Sequence, residues 1–353
     1  MPPAAELNPA PLARAIEAWF RLARRELPWR PASLDQPRDP YHCLVSELML
    51  QQTQVSRVRE RYARFIERFP TPHALARADE AEVLALWSGL GYYRRARLLH
   101  SAAKAIVDNH GGRFPSEPDQ IRALPGVGRY TAGSIASLAF GARAPIVDGN
   151  VARVLLRVCA DDAPPAQTRT QKRLWSQARA LVDAAACPGV LNEGLMELGA
   201  TVCTPRSPSC DTCPLRAMCA SSAQGRQHEI PTPKPAATQK PLYCDAVRIR
   251  DARGRYLIER RPREGLWGGL HQAPTLESGS RHARRAELLA WIGATELTPG
   301  ERFTHQTTHR RVSFRVWQCA PVRGMKTGHR TWATRSRLRE LALSSPQRRI
   351  LGL

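Results

Sequence analysis

IRALPGVGRYTAGSIASLAF, residues 121–140, is the stretch that decides how the first half of this chain is built. A short helix ends at Leu124, Pro-Gly-Val-Gly makes the turn, and a second helix starts near Arg129. Gly126 and Gly128 allow the backbone to approach an anion closely. The new helix presents free N–H groups and the positive end of its dipole. Such a turn can cradle a phosphate without sequence preference. Glycine turns between helices are also common, so the surroundings must decide.

Outward from that turn the period stays helical. Leu12, Ile16, Trp19, Phe20 and Ala23 share one helix face, as do Val55, Val58, Tyr62, Phe65 and Phe69. Further helices fit residues 81–87, 96–107, 151–158, 174–185 and 193–202, and strand-like alternation is nearly absent up to residue 219. The first half is expected to be all-α. Residues 225–241, GRQHEIPTPKPAATQKP, hold four prolines and no apolar period, which predicts an extended linker. After it the period changes to two. Val247 and Ile249 alternate with Arg248 and Arg250, a D-A-R-G turn follows, and residues 255–260 return as a second strand. Val312, Phe314 and Val316 alternate near the end, with a helix expected over 281–292. The second half is therefore a smaller α/β domain.

The formal charge is +22, from 53 Lys plus Arg against 31 Asp plus Glu. Arg dominates the excess, and its planar fork suits phosphates. A polyanionic partner follows, nucleic acid before a membrane surface. An Arg-rich genome composition could explain the Arg-to-Lys ratio but not the net charge. No apolar run approaches the ~20 residues of a membrane span, and MPPAAELNPAP lacks a signal-peptide core, so a cytoplasmic location is expected.

Cys203, Cys210, Cys213 and Cys219 form a C-x6-C-x2-C-x5-C frame within seventeen residues. Four thiolates so close can enclose one metal centre. Pro205, Pro208 and Pro214 stiffen the run, leaving less chain entropy to lose on binding. Two disulfides or four buried thiols are the bland alternative, in a chain with no mark of secretion. On spacing alone, zinc and iron–sulfur both stay open.

The hairpin sequence resembles the helix-hairpin-helix motif of DNA-binding proteins. About seven residues later stands Val147-Asp148-Gly149-Asn150. An Asp before a helix is usually only an N-cap. Hairpin, Asp and cysteine frame together resemble the endonuclease III superfamily of DNA glycosylases, whose frame of this spacing holds one [4Fe–4S] cluster. The resemblance implies that Cys203, Cys210, Cys213 and Cys219 are its ligands. Strand-cleaving members carry a lysine in the helix after the hairpin, and Tyr130 stands there in GRYTAG. A phenol cannot form an iminium, so base excision should leave an abasic site.

SELMLQQTQV, residues 46–55, places Glu47 among Leu44, Val45, Leu48, Met49 and Leu50. Apolar surroundings raise a carboxyl pKa, as a proton donor near neutrality needs. A surface Glu on an amphipathic helix is the competing reading. LPWR at 27–30, SELMLQQTQV, WSGLGYYRRAR at 87–97, LPGVGRYTAG and VDGNVARV resemble the adenine DNA glycosylases of the MutY type over nearly the whole chain.

That resemblance implies two domains joined by a linker: an all-α helix-hairpin-helix glycosylase domain with its iron–sulfur loop at 1–224, the Pro-rich linker at 225–241, and an α/β Nudix-like domain at 242–353. It implies that Glu47 protonates adenine N7 and Asp148 stabilises the oxocarbenium-like sugar, assisted by Tyr130 and Asn150. Trp29, Arg30 and Glu193 would line the pocket for the flipped adenine. Leu50, Gln52, Thr53, Leu90 and Tyr92 would contact the substrate beside 8-oxoguanine. The backbone of Leu124, Gly126, Val127 and Gly128 would hold a phosphate. GLWGG at 265–269 stands where the family has its Nudix-like domain, but SRHARRAELLAW follows it, with Arg where hydrolysis needs Glu. That domain should bind and not hydrolyse. Its lesion-reading loop corresponds to His305-Gln306-Thr307-Thr308-His309, with Thr308 and His309 as the contacts and Thr307 in place of an aromatic. The partner implied is double-stranded DNA with A:8-oxoguanine or A:G mispairs, bound by a monomer. A thymine-mismatch or oxidised-pyrimidine glycosylase is the runner-up within the superfamily. A non-catalytic iron–sulfur DNA-binding protein is the alternative from another class. Retention of both Glu47 and Asp148 disfavours it.

Overall fold

Apolar residues three and four apart close into helices through most of the first half. Pro9–Ala23 buries Leu12, Ile16 and Phe20, and Val55–Arg68 buries Val58, Tyr62 and Phe65. Pro stands in the first turn of Pro9–Ala23, Pro40–Leu50, Pro118–Ala123 and Pro188–Thr201, where its missing N–H costs no helical bond. The computed structural model describes residues 5–34, 36, 38–232, 238–321 and 328–353. Within them two compact units form: Met1–Arg77 with Leu98–Pro235, and Ala78–Arg97 with Ala236–Leu353.

The first unit is helical. Its core joins Ile16 of Pro9–Ala23, Leu155 of Gly149–Val158, Leu174 and Leu181 of Thr168–Ala184, and Leu195 and Leu198 of Pro188–Thr201, each almost fully buried. Burying one such side chain contributes roughly 1.5–3 kcal/mol. The helix Gly149–Val158 is buried on every side from Val151 to Val158, so Asp148 at its N-cap is held by the core beneath it. The hairpin Pro118–Ala123, turn, Arg129–Phe140 forms as the glycines predicted. Gly126 has φ +80°, and a Cβ there would meet Leu98 Cβ at 2.7 Å, so only glycine fits. Not expected were the short helices Pro72–Ala76 and Ala220–Ala223, and the 3₁₀ turns Cys210–Thr212 and Arg216–Met218 inside the cysteine run.

Among its described residues the second unit carries seven strands: β1 Lys240–Ile249, β2 Tyr256–Arg260, β3 His271–Gln272, β4 Thr275–Ser278, β5 Thr298–Gln306, β6 Arg310–Cys319 and β7 Thr331–Ala333. One sheet runs β4-β1-β6-β5 and the other β3-β2-β7, with β1 and β6 parallel and the other pairs antiparallel. The alternating residues Val312, Phe314 and Val316 face one core with Cys244, Ala246 and Ile258. Val247, Ile249 and Trp317 face another with Leu288 and Ile292. Phe314 stacks on Phe303 at 4.9 Å and on Trp267 at 6.1 Å, which seats the GLWGG loop against the β5–β6 hairpin.

The helix expected over 281–292 begins later, at Arg285. Glu287 accepts from Arg284 N at 2.7 Å and ties Arg281 back by two guanidinium bonds, so the residues before Arg285 serve as its cap. Part of the expected linker, residues 233–237, lies outside the described residues. Its N-terminal part is tied down: Arg226 pairs with Asp162 at 2.9 Å and Thr232 donates to Asp162 O at 2.6 Å. Its C-terminal end enters β1 at Lys240. Among the described residues no helix is long and apolar enough to cross a membrane.

Candidate active site

The helix Pro40–Leu50 is apolar on almost all sides, and this is what buries Glu47 to 7% exposure. Ser134 Oγ, on the facing helix Arg129–Phe140, donates to Glu47 Oε1 at 2.8 Å. Burial pushes the Glu47 carboxyl up to about 7, against the hydrogen bonds of Ser134 and Tyr130 that favour its anion, with the Asp148 charge adding to the rise. A carboxyl of that kind holds and releases a proton near neutrality. Tyr130 Oη donates to Met196 Sδ at 2.9 Å, and burial raises its pKa far above the usual phenol range.

Asp148 caps the helix Gly149–Val158 by accepting from Val151 N at 2.7 Å, and its second oxygen accepts from Asn150 Nδ2 at 3.2 Å. The N-cap reading of Asp148 is thus correct, yet the same carboxylate opens onto a cavity. Burial raises its pKa, opposed by the Val151 and Asn150 bonds. One cavity of about 540 Å³ is lined by Trp29, Arg30, Glu47, Leu50, Gln52, Thr53, Tyr130, Asp148, Asn150 and Glu193. Ten residues singled out from sequence therefore converge. Gln52 sits at φ +53°, a strained value for a non-glycine residue.

The cavity wall also contains groups that sequence reasoning missed. Arg30 Nε donates to Glu193 Oε1 at 2.6 Å and Nη2 to Glu197 Oε2 at 2.9 Å, and Arg38 pairs with the other oxygen of Glu193. Arg25 forks onto Glu197 at 2.6 and 2.9 Å. Burial alone would raise the Glu197 carboxyl, but the Arg25 and Arg30 bonds prevail and hold it at about 2. Two carboxylates and three guanidiniums thus form a paired rim with one positive charge in excess. Glu193 and Glu197 lie four apart on Pro188–Thr201, a spacing that could have flagged Glu197 beside Glu193.

Arg153 ties this site to the cysteine loop. Its Nη2 donates to Asn150 Oδ1 at 2.8 Å and Gly199 O at 2.6 Å, and its Nε donates to Cys203 O at 2.8 Å. Cys203, Cys210, Cys213 and Cys219 all line one small cavity, and none of the nine cysteines is disulfide-bonded. Among the described residues no three His, Cys, Asp or Glu side chains converge tightly enough for a single ion. Four thiols round one common cavity are a donor set that fits a thiolate-held iron–sulfur cluster. Burial lifts the Cys213 thiol to about 11 and raises that of Cys219, so binding must supply the charge that deprotonates them. The fully buried Arg157 donates to Cys203 Sγ at 3.3 Å and to Thr204 O at 2.8 Å, which suits a loop of thiolates.

At the hairpin, Gly128 is exposed and is the N-cap of Arg129–Phe140, while Val127 N closes the turn on Leu124 O at 3.1 Å. The side chains of Leu124 and Val127 are buried beneath the turn. Leu90, Tyr92, Thr308 and His309 belong to the second unit. There Tyr92 Oη and Thr308 Oγ1 form a hydrogen bond of 2.5 Å, Leu90 is buried, and Thr308 and His309 are exposed at the tip of the β5–β6 hairpin. Thr307, where an aromatic was expected, uses its hydroxyl to accept from Arg310 N at 3.0 Å and so closes that tip.

Three segments match known families: residues 45–180 the HhH-GPD superfamily base excision DNA repair proteins, residues 203–219 the iron–sulfur binding domain of endonuclease III, and residues 246–353 the NUDIX domain. The chain is 34% identical over 397 residues to the adenine DNA glycosylase of Homo sapiens, across 95% of this chain and 72% of that protein. It is 35% identical over 396 residues to the adenine DNA glycosylase of Rattus norvegicus, across 96% and 76%. Among solved structures it is similar to a thermostable thymine-DNA glycosylase, with TM-score 0.53 and 30% identity over 60% of this chain and 95% of that one. The cofactor of the cysteine loop is one [4Fe–4S] cluster. Similarity over nearly all of this chain to the two mammalian enzymes, a helix-hairpin-helix half, an iron–sulfur loop and a NUDIX half meet in one conclusion: the chain belongs to the adenine DNA glycosylases, base-excision repair enzymes that hydrolyse an N-glycosidic bond.

Proposed function

We propose that this adenine glycosylase acts on adenine mispaired with 8-oxoguanine or guanine, as a cytoplasmic monomer, and leaves an intact strand with an abasic site. The observation that carries the chemistry is the pair of unlike carboxyls in one cavity: Glu47, buried and near 7, and Asp148, held by a backbone N–H and Asn150. Adenine must leave the duplex to reach them, since its sugar carbon is inaccessible within the stack. Trp29, Arg30 and Glu193 receive the flipped base, with Leu50, Gln52 and Thr53 along the cavity wall. Glu47 gives its proton to adenine N7, so the base departs neutral. Asp148 then faces the oxocarbenium-like sugar, with Tyr130 and Asn150 beside that centre, and water completes the hydrolysis. The backbone of Leu124, Gly126, Val127 and Gly128 holds a phosphate. Cys203, Cys210, Cys213 and Cys219 would hold the cluster, which would tie their loop together, and Arg153 links that loop to Asn150.

Residues 242–353 bind and do not hydrolyse, for want of the glutamates, and Thr308 and His309, with Leu90 and Tyr92 from residues 78–97, address the base opposite adenine. Single-turnover excision on duplexes with A opposite 8-oxoguanine, guanine and thymine tests this specificity. Fast excision opposite the first two and little opposite thymine is expected. Equal rates on all three would refute it.

A further inference from the structure

Beside the hairpin turn lies a cluster of arginines for which the active site has no use. Arg129, the first residue of Arg129–Phe140, is exposed, and its guanidinium lies 3.7 Å from the centroid of the Trp175 ring on Thr168–Ala184. Arg179 follows Trp175 by four residues on Thr168–Ala184 and so shares its face, and the Arg129 pKa is lowered first by desolvation and then by the charges of Arg122 and Arg179. Arg122 and Arg179 are also exposed. Among the described residues no carboxylate pairs with Arg122 or Arg129. Arg179 touches Arg143 O and has only a loose surface contact to Asp183 at 3.8 Å. The arginines round the active-site cavity differ: Arg25, Arg30 and Arg38 each lie on a glutamate.

Like charges gathered on one exposed face destabilise the free protein and are relieved by a polyanion. Stacking on the half-buried Trp175 ring keeps the exposed Arg129 pre-ordered while leaving its fork free, which lowers the entropy lost on gripping a phosphate. The hairpin backbone itself follows, at Gly126 and Gly128, three residues and one residue from Arg129. We propose that Arg122, Arg129 and Arg179, with Trp175 as the platform of Arg129, form a second DNA-backbone clamp that receives phosphates flanking the one held by the hairpin. This rests on the reading of the hairpin as a DNA contact. The clamp adds affinity and register without reading sequence, because phosphates carry none.

The test is the salt dependence of duplex binding by the full-length, cluster-loaded protein, with single-turnover excision measured alongside. Arg122→Ala, Arg129→Ala and Arg179→Ala should each lower the slope of log Kd against log salt by about one and weaken binding several-fold near ~0.15 M salt. Excision at saturating protein should keep its rate, since none of the three reaches the base. Trp175→Ala should weaken binding while Trp175→Phe restores it, and Arg129→Lys should keep the slope. Wild-type slopes in all three Ala variants would overturn the clamp while leaving the hairpin reading intact. Wild-type protein that neither binds nor excises would overturn the reading beneath it and the clamp together.

Discussion

Tyr92 Oη lies 2.5 Å from Thr308 Oγ1, a bond between residues 216 positions apart, both on exposed surface of the second unit. Tyr92 holds φ +47°, following Gly91 at φ +71°, so its backbone is strained where its side chain is offered. If these two residues read the base opposite adenine, they act as one unit. Tyr92→Phe and Thr308→Ala should each reduce the preference for 8-oxoguanine over guanine, by about 1–3 kcal/mol where a base-edge hydrogen bond is lost. The double variant should lose less than the sum. Additive losses, measured as excision-rate ratios on the two mispairs, would show that the residues work independently.

Glu47 links function to pH. Its folded pKa of about 7 exceeds the ordinary carboxyl value of 4.5, so the folded state retains a proton that the unfolded chain releases between those values. The stability tied to that proton is fully present below 4.5 and is lost as pH rises through about 7. Glu47→Gln, a neutral isostere that can still accept from Ser134, should therefore raise the thermal midpoint at pH 8 and leave it nearly unchanged at pH 4.5. The gain is at most about 3 kcal/mol, since each pKa unit is about 1.4 kcal/mol. Calorimetry at the two pH values checks this. Wild-type excision should fall as pH rises above about 7, as the donor form is depleted.

Arg153 is expected to be a positioning residue. Removing its guanidinium with Arg153→Met orphans the buried carbonyl of Gly199, at about 1–3 kcal/mol for an unsatisfied buried group, and frees Asn150 and the part-buried carbonyl of Cys203. Excision should slow by one to two orders of magnitude, roughly the effect of one such lost bond, with duplex affinity nearly intact. Arg153→Lys should recover only part of the rate, because an ammonium cannot reproduce the fork. Iron content measured alongside separates a loosened cluster loop from a displaced Asn150.

Iron itself is directly countable. Purified protein should carry about four irons per chain with broad visible absorption, and Cys203→Ser should lose much of it, because thiolates alone hold such a cluster. One zinc per chain and no iron would contradict the cofactor.

Much of this was legible in the residues. The turn at Gly126 and Gly128 announces itself because glycine is required there for steric reasons. Glu47 stood out as a lone carboxylate on an apolar helix, and its burial follows from that pattern. Ser134, Glu197, Arg25 and Arg38 did not stand out, because their roles arise from packing between helices far apart in sequence. A period reports a helix face but not the core that receives it. Residues 78–97 read as one more helical stretch, yet Tyr93 Oη donates to Leu343 O, 250 positions away, at 3.1 Å. Thr307 shows the converse: in sequence it looks like the loss of an aromatic, and in the fold it is the hydroxyl that closes the hairpin tip.

The most direct measurement is a single-turnover assay on a duplex carrying one A opposite 8-oxoguanine, resolved with and without alkali, for wild type, Glu47→Gln and Asp148→Asn. With Glu47 as proton donor, Asp148 beside the sugar and Tyr130 where a lyase needs an amine, wild type should break the strand only after alkali. Both variants should bind the duplex yet lose excision by at least about 100-fold, the scale of lost general-acid catalysis. Wild-type strand breaks without alkali, or Glu47→Gln excising at the wild-type rate, would contradict the assigned chemistry.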